Sequence, residues 1–190
     1  MSKLNGLILT GGQSSRMGHD KSQLIYHGKP QREHLTDLLK PYCDDVFWSV
    51  NVGQASQLST TNQPYIVDSF DFPGPLNGIL SAFQHDAESA WLVVACDMPL
   101  LTVRSFDALV AGRNLAQLAT VFYDSDGQLP EPLLGIYEPA FRLILQQALA
   151  DGEYSPRQLL RQNDVNLLNV ADKRELTNIN DPKAKAALGL

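Results

Sequence analysis

The residues best placed to do chemistry lie close to the start of the chain. Leu9-Thr10-Gly11-Gly12-Gln13-Ser14-Ser15-Arg16-Met17-Gly18-His19-Asp20-Lys21 follows a short apolar run. A glycine-rich loop leaving a strand lets successive backbone N–H groups converge on phosphate oxygens, because no side chain intervenes. Arg16 and Lys21 supply the local positive charge that a triphosphate needs in a chain of net charge −6. The pattern is neither common phosphate loop. Gly18 is followed by His19-Asp20 and not by Lys-Ser/Thr, and Gly-x-Gly-x-x-Gly is absent. A surface loop with ordinary turn glycines is the bland alternative.

Three carboxylates and one amide extend the candidate site. Asp97 follows the apolar run Trp91-Leu92-Val93-Val94-Ala95, at the strand end where the glycine loop also emerges. A carboxylate there suits Mg²⁺, which takes one or two carboxylates, waters and substrate phosphates. A turn aspartate before Pro99 is the alternative. Asp68 and Asp71 follow Tyr65-Ile66-Val67, in a segment bent by Pro73-Gly74-Pro75. Both could contact nucleotide hydroxyls or the metal; Asp68 is the better candidate, and Asp71 reads equally well as a turn residue. Asn51 ends another strand with an amide that can both donate to and accept from a base. A loop asparagine is the competing reading. His19, His27, His34 and His85 have no metal-cluster spacing and read as exposed, and Cys96 reads as a buried thiol. No Ser-His-Asp order can be assembled, so direct in-line attack is the implied chemistry.

The elements that must hold these residues alternate along the chain. Gly6–Thr10, Val46–Val50, Tyr65–Val67 and Trp91–Ala95 read as strands covered on both faces. Leu35, Leu38 and Leu39, then Leu76, Ile79, Leu80 and Phe83, then Val103, Phe106 and Leu109 mark amphipathic helices between them. Ala119–Tyr123 and Leu133–Tyr137 read as two further strands joined through Asp126-Gly127. Pro139 opens a helix carried by Phe141, Ile144, Leu145 and Leu149. Ser155-Pro156 and Asp181-Pro182 each offer an N-cap followed by proline. The expected fold is α/β: a doubly wound, mostly parallel Rossmann-like sheet with helices on both faces. Residues 1–190 read as one domain.

Composition narrows the function. The chain has 190 residues, 15 Lys+Arg against 21 Asp+Glu, and two cysteines. The acidic balance argues against a nucleic-acid partner, and no apolar run is long enough to span a bilayer. With Cys43 and Cys96 alone, no disulfide framework is expected. A cytoplasmic setting is expected, with no signal-peptide pattern at Met1–Gly6.

The glycine loop resembles the Leu-x-Gly-Gly-x-Ser-x-Arg-Met-Gly-x-Asp-Lys signature of the molybdenum cofactor guanylyltransferase family, within the glycosyltransferase-A-like nucleotidyltransferases. Thr10 replaces the usual alanine. Gly28-Lys29-Pro30 resembles the family's Gly-Lys-Pro turn, with Gln31 where an apolar residue is usual. Pro73-Gly74-Pro75-Leu76-Asn77-Gly78-Ile79, Cys96-Asp97-Met98-Pro99 and Glu131–Tyr137 are similar to later elements of the family. Asn178-Ile179-Asn180-Asp181-Pro182 resembles its closing Asn-x-Asn-x-Pro, with Asp181 where threonine is commoner.

The resemblance implies transfer of GMP from GTP to the terminal phosphate of molybdopterin, with release of pyrophosphate. It implies catalytic roles for Arg16, Lys21 and Asp97. It implies GTP contacts from Leu9, Thr10, Gly11, Gly12, Lys21, Asn51, Asp68 and Asp97, and Mg²⁺ at Asp97. A monomer with transient contact to cofactor-synthesis or acceptor enzymes is expected, with Mg²⁺ as cofactor and without a nucleic-acid or membrane partner. Two alternatives stay open: the same chemistry with CTP or a sugar-phosphate acceptor, and a nucleotide-binding module without turnover.

Overall fold

The computed structural model describes residues 2–10, 21–58 and 61–179, with Lys21 described in its backbone only. The expectations for Gly11, Gly12, Arg16, His19, Asn180 and Asp181 lie outside the described residues. Seven strands form one sheet: β1 (Leu4–Leu9), β2 (Val46–Val50), β3 (Tyr65–Val67), β4 (Ala90–Ala95), β5 (Ala119–Tyr123), β6 (Pro130–Tyr137) and β7 (Asn166–Leu168). Their spatial order is β3-β2-β1-β4-β6-β5-β7. The pairs β2–β3, β1–β2, β1–β4 and β5–β7 are parallel, and β6 runs antiparallel to both of its neighbours. This is the expected mostly parallel α/β sheet. β7 was not foreseen: it has three residues, all half-buried, and no apolar alternation.

Helices cover both faces. α1 (Gln31–Leu39), α2 (Val52–Leu58) and α4 (Val103–Ala111) pack on one, through Leu35, Leu39, Leu58, Phe106 and Leu109. α3 (Pro75–His85), α5 (Phe141–Asp151) and α6 (Pro156–Gln162) pack on the other, through Ile79, Phe83, Phe141, Leu145 and Leu159. β1 shows why one strand serves both layers: Ile8 joins the first cluster while Leu7 and Leu9 join the second. Both β1 and β4 are buried throughout, hence their continuous apolar sequence.

Local signals set the helix ends. Pro75 occupies the first turn of α3, Thr102 Oγ1 accepts from Arg104 N at the start of α4, and Ser155 Oγ accepts from Gln158 N at the start of α6. Gly152 closes α5 at φ 72°, a left-handed position where other residues are strained. α2 escaped the sequence reading because Val-Gly-Gln-Ala-Ser-Gln-Leu buries only Leu58. No helix among the described residues is long and apolar enough to cross a membrane.

Candidate active site

The register of β1 against β4 decides where the site lies. Leu9 pairs with Ala95, and Cys96 N donates to Leu9 O at 3.3 Å. The glycine loop and Asp97 therefore leave two neighbouring parallel strands at the same edge. β2 and β3 end at this edge too, since Val50 pairs with Val67. Antiparallel β6 begins here, so Glu131 joins the strand-end residues Thr10, Asn51, Asp68 and Asp97. Open α/β sheets bind ligands along their carboxyl-end edge.

Each element holds its residue in a defined way. Thr10 is buried, and its Oγ1 donates to Ser49 O at 2.6 Å. Ser49 Oγ in turn donates to Asp68 Oδ1 at 2.6 Å. Burial holds the Asp68 carboxyl above its ordinary pKa, partly offset by that hydroxyl. The segment after Asp68 is shaped from α3. Asn77 Nδ2 donates to Phe70 O at 2.6 Å and to Phe72 O at 2.9 Å, while its Oδ1 accepts from Phe70 N at 3.2 Å. Asp71 is exposed on this loop.

Asn51 is placed at the edge but is engaged differently from the expectation. Its Oδ1 accepts from Gln54 N at 2.9 Å, while Gln54 Oε1 accepts from Asn51 N at 3.0 Å. The pair caps α2 reciprocally, so base recognition would fall to the rest of an exposed amide. Gln54 Nε2 also donates to Thr10 O at 3.2 Å, tying α2 to the end of β1. Lys21 opens a 3-10 turn, Lys21–Gln23. His27 is exposed as expected but is not idle: its Nε2 lies 2.7 Å from Pro99 O.

Two residues were missed. Glu131 is 4% exposed, with Oε1 accepting from Leu133 N at 3.0 Å and Oε2 lying 3.4 Å from Arg157 Nη2. Its pKa is raised, first by burial, with Asp97 and Asp124 adding negative charge against the attraction of Arg157. The available signal was a carboxylate between two strand-start residues, Pro130 and Pro132, where an apolar side chain would be cheaper to bury. Gln54 carried no signal, because α2 itself was not legible. Among the described residues no group of three His, Cys, Asp or Glu side chains could enclose a metal. The half-buried Asp97 carboxylate lies at the strand edge within electrostatic reach of Glu131, with its Oδ1 buried, and it offers carboxylate oxygens there. That donor set fits Mg²⁺, which keeps waters and leaves substrate phosphates to complete its shell.

Comparison with known proteins identifies the family. Residues 6–167 match the MobA-like NTP transferase domain family. The chain belongs to this family. A molybdenum cofactor guanylyltransferase from Pseudomonas fluorescens (strain SBW25) is 34% identical over 181 residues, covering 93% of this chain and 89% of that protein. A molybdenum cofactor biosynthesis bifunctional protein from Synechocystis sp. is 34% identical over 180 residues; the chain spans 52% of that longer relative. The solved molybdopterin-guanine dinucleotide biosynthesis protein A from Archaeoglobus fulgidus superposes with a TM-score of 0.79, covering 96% of this chain and 95% of that one. At 24% identity that likeness shows the shared family fold.

Proposed function

We propose that this member of the MobA-like family transfers GMP from GTP to the terminal phosphate of molybdopterin. The observation that supports the reading is the shared edge: β1–β4 register pairs Leu9, at the strand end before the glycine loop, with Ala95, two residues before Asp97. Relatives at 33–34% identity named molybdenum cofactor guanylyltransferase support the choice of substrates.

In this reading Leu9, Thr10, Gly11 and Gly12 lie along the nucleotide, with Arg16 and Lys21 on the triphosphate. Asn51 and Asp68 contact the nucleoside. A phosphate oxygen of the acceptor attacks the α-phosphorus of GTP. The bond to the bridging oxygen of the β-phosphate breaks, and pyrophosphate leaves with that electron pair. Asp97 would hold Mg²⁺, which would neutralise charge on the α- and β-phosphate oxygens. The protein side of catalysis is then positioning and electrostatics, with no covalent enzyme intermediate. Residues 1–190 act as one unit, as a cytoplasmic monomer that meets its cofactor-synthesis or acceptor enzymes transiently.

A thermal-shift series with GTP, CTP, ATP and UTP in Mg²⁺ tests the nucleotide. A ligand that binds only the native state raises stability by RT ln(1 + [L]/Kd), about 2.7 kcal/mol at one hundred times Kd. GTP gives the largest shift, and Lys21→Ala shrinks it. A larger shift with CTP overturns the guanylyl assignment.

A further inference from the structure

Three consecutive carbonyls around the Asp97 turn each accept from a residue far away in sequence. Asp97 O accepts from Ile179 N at 2.8 Å, Met98 O from Gln31 Nε2 at 3.4 Å, and Pro99 O from His27 Nε2 at 2.7 Å. A carbonyl can only accept, so His27 carries its proton on Nε2. We propose that His27 and Gln31 are positioning residues for Asp97, fixing the direction of its carboxylate by clamping the backbone that follows it. This rests on the reading of Asp97 as the metal carboxylate.

The clamp is built from rigid parts. Gln31 is the first residue of α1 and is fully buried. α1 is anchored by the buried Leu35 and Leu39, and by Trp48 Nε1, which donates to Thr36 Oγ1 at 2.9 Å. His27 stacks on His34 of the same helix, with ring centroids 4.0 Å apart. The turn between the two donors closes on itself: Ile25 bridges to Pro30, Gln31 N donates to Leu24 O at 2.9 Å, and Gly28 sits at φ 73°. This turn begins two residues after Lys21–Gln23, so it links the end of the glycine loop to the Asp97 turn.

Gln31 bears a cost that packing alone does not explain. Its Oε1 is buried with no hydrogen-bond partner among the described residues. A buried unsatisfied carbonyl is destabilising, and an apolar side chain of similar size would remove the penalty. What the apolar side chain could not supply is the donor to Met98 O. Stability and positioning therefore pull in opposite directions at this one residue. Groups that orient a metal's ligands typically carry tenfold to hundredfold effects on metal affinity.

The test measures Mn²⁺ affinity by electron paramagnetic resonance in the presence of GTP, alongside thermal unfolding. Variants are Gln31→Leu, Gln31→Met and His27→Phe, the last keeping a ring against His34 while losing the donor. The proposal expects Gln31→Leu and Gln31→Met to hold or raise Tm while Mn²⁺ affinity falls about tenfold or more. It expects His27→Phe to weaken Mn²⁺ affinity in the same way, and His27→Gln, which restores an N–H donor, to recover part of it. Wild-type Mn²⁺ affinity in both the Gln31 and the His27 variants overturns the proposal, as does a Tm loss with unchanged metal affinity. Wild-type protein that binds GTP but no Mn²⁺ removes its premise. Wild-type protein that binds no GTP overturns the guanylyl reading itself.

Discussion

Ser49 Oγ donates to Asp68 Oδ1 at 2.6 Å, and the backbone of α3 at Gly78 lies directly against that hydroxyl. A Cβ at Gly78 would fall inside contact distance of Ser49 Oγ and 2.7 Å from Leu9 Cδ2. One glycine thus lets a helix approach β1 and β2 where both deliver residues to the site. Gly78→Ala should cost about 1–3 kcal/mol through overpacking. Tm should fall by roughly 2–10 °C for a chain of this size. Because the displaced hydroxyl is the Asp68 partner, GTP affinity should fall with it. Differential scanning calorimetry and a nucleotide titration check both, and an unchanged Tm would contradict the close approach.

Asp68 provides a pH test with a defined sign. Burial raises its folded pKa above the unfolded value. The native state therefore holds the proton more tightly than the unfolded chain does. This contribution to stability is present below the unfolded pKa and is lost as pH rises through the folded one. Asp68→Asn keeps an Oδ1 acceptor for Ser49 and removes the titration. Its Tm should exceed the wild-type value at pH 8, and the difference should shrink as pH falls toward 4. A difference independent of pH would contradict the buried charge. At pH 8 the same variant should bind GTP more weakly.

Much of the fold was legible because the sheet is buried on both faces. The apolar runs at Val46–Val50, Tyr65–Val67 and Ala119–Tyr123 coincide with β2, β3 and β5. What could not be read was pairing. The hairpin of β5 and β6 was read through Asp126-Gly127, but the insertion of β6 beside β4, which sets Glu131 at the strand-end edge, depends on contacts far apart in sequence. The reach of β6 back to Pro130 was also hidden, because prolines flank Glu131 and disguise a strand start. The strand-end positions of Asp97 and Asp68 were legible from the apolar runs before them. The Asn51–Gln54 cap was not, since a polar helix of seven residues has no periodic signature. Nor was the role of His27, whose partner Pro99 is 72 residues away.

Arg113 and Glu138 offer a control at the opposite end of the sheet. Arg113 Nε and Nη2 meet the two Glu138 carboxylate oxygens at 2.6 and 2.8 Å, and Nη2 also donates to Ser2 Oγ at 2.9 Å. Their side chains are 12% and 6% exposed. Removing one partner of a buried pair strands the other charge, at about 3–5 kcal/mol. Arg113→Ala should therefore lower Tm by roughly 10 °C, while the apolar pair Arg113→Met with Glu138→Leu should recover most of it. Tyr137, next to Glu138, pairs with Trp91 at the start of β4, away from Asp97. The GTP-induced shift should thus be the same in all three proteins at a temperature where each is folded. A lost shift would contradict the placement of the site.

The central claim is guanylyl transfer at the edge where the glycine loop and Asp97 emerge together. Its most direct test is the initial rate of pyrophosphate release from GTP with molybdopterin, across a Mg²⁺ titration, in wild-type protein and Asp97→Asn. The variant preserves shape and removes the charge. The interaction lost is worth several kcal/mol in the transition state, and about 1.4 kcal/mol corresponds to tenfold in rate. The prediction is release that requires molybdopterin in the wild type and is slower by at least ~100-fold in Asp97→Asn. Near-equal rates in the two proteins at low Mg²⁺, or no molybdopterin-dependent release by the wild type, would contradict it.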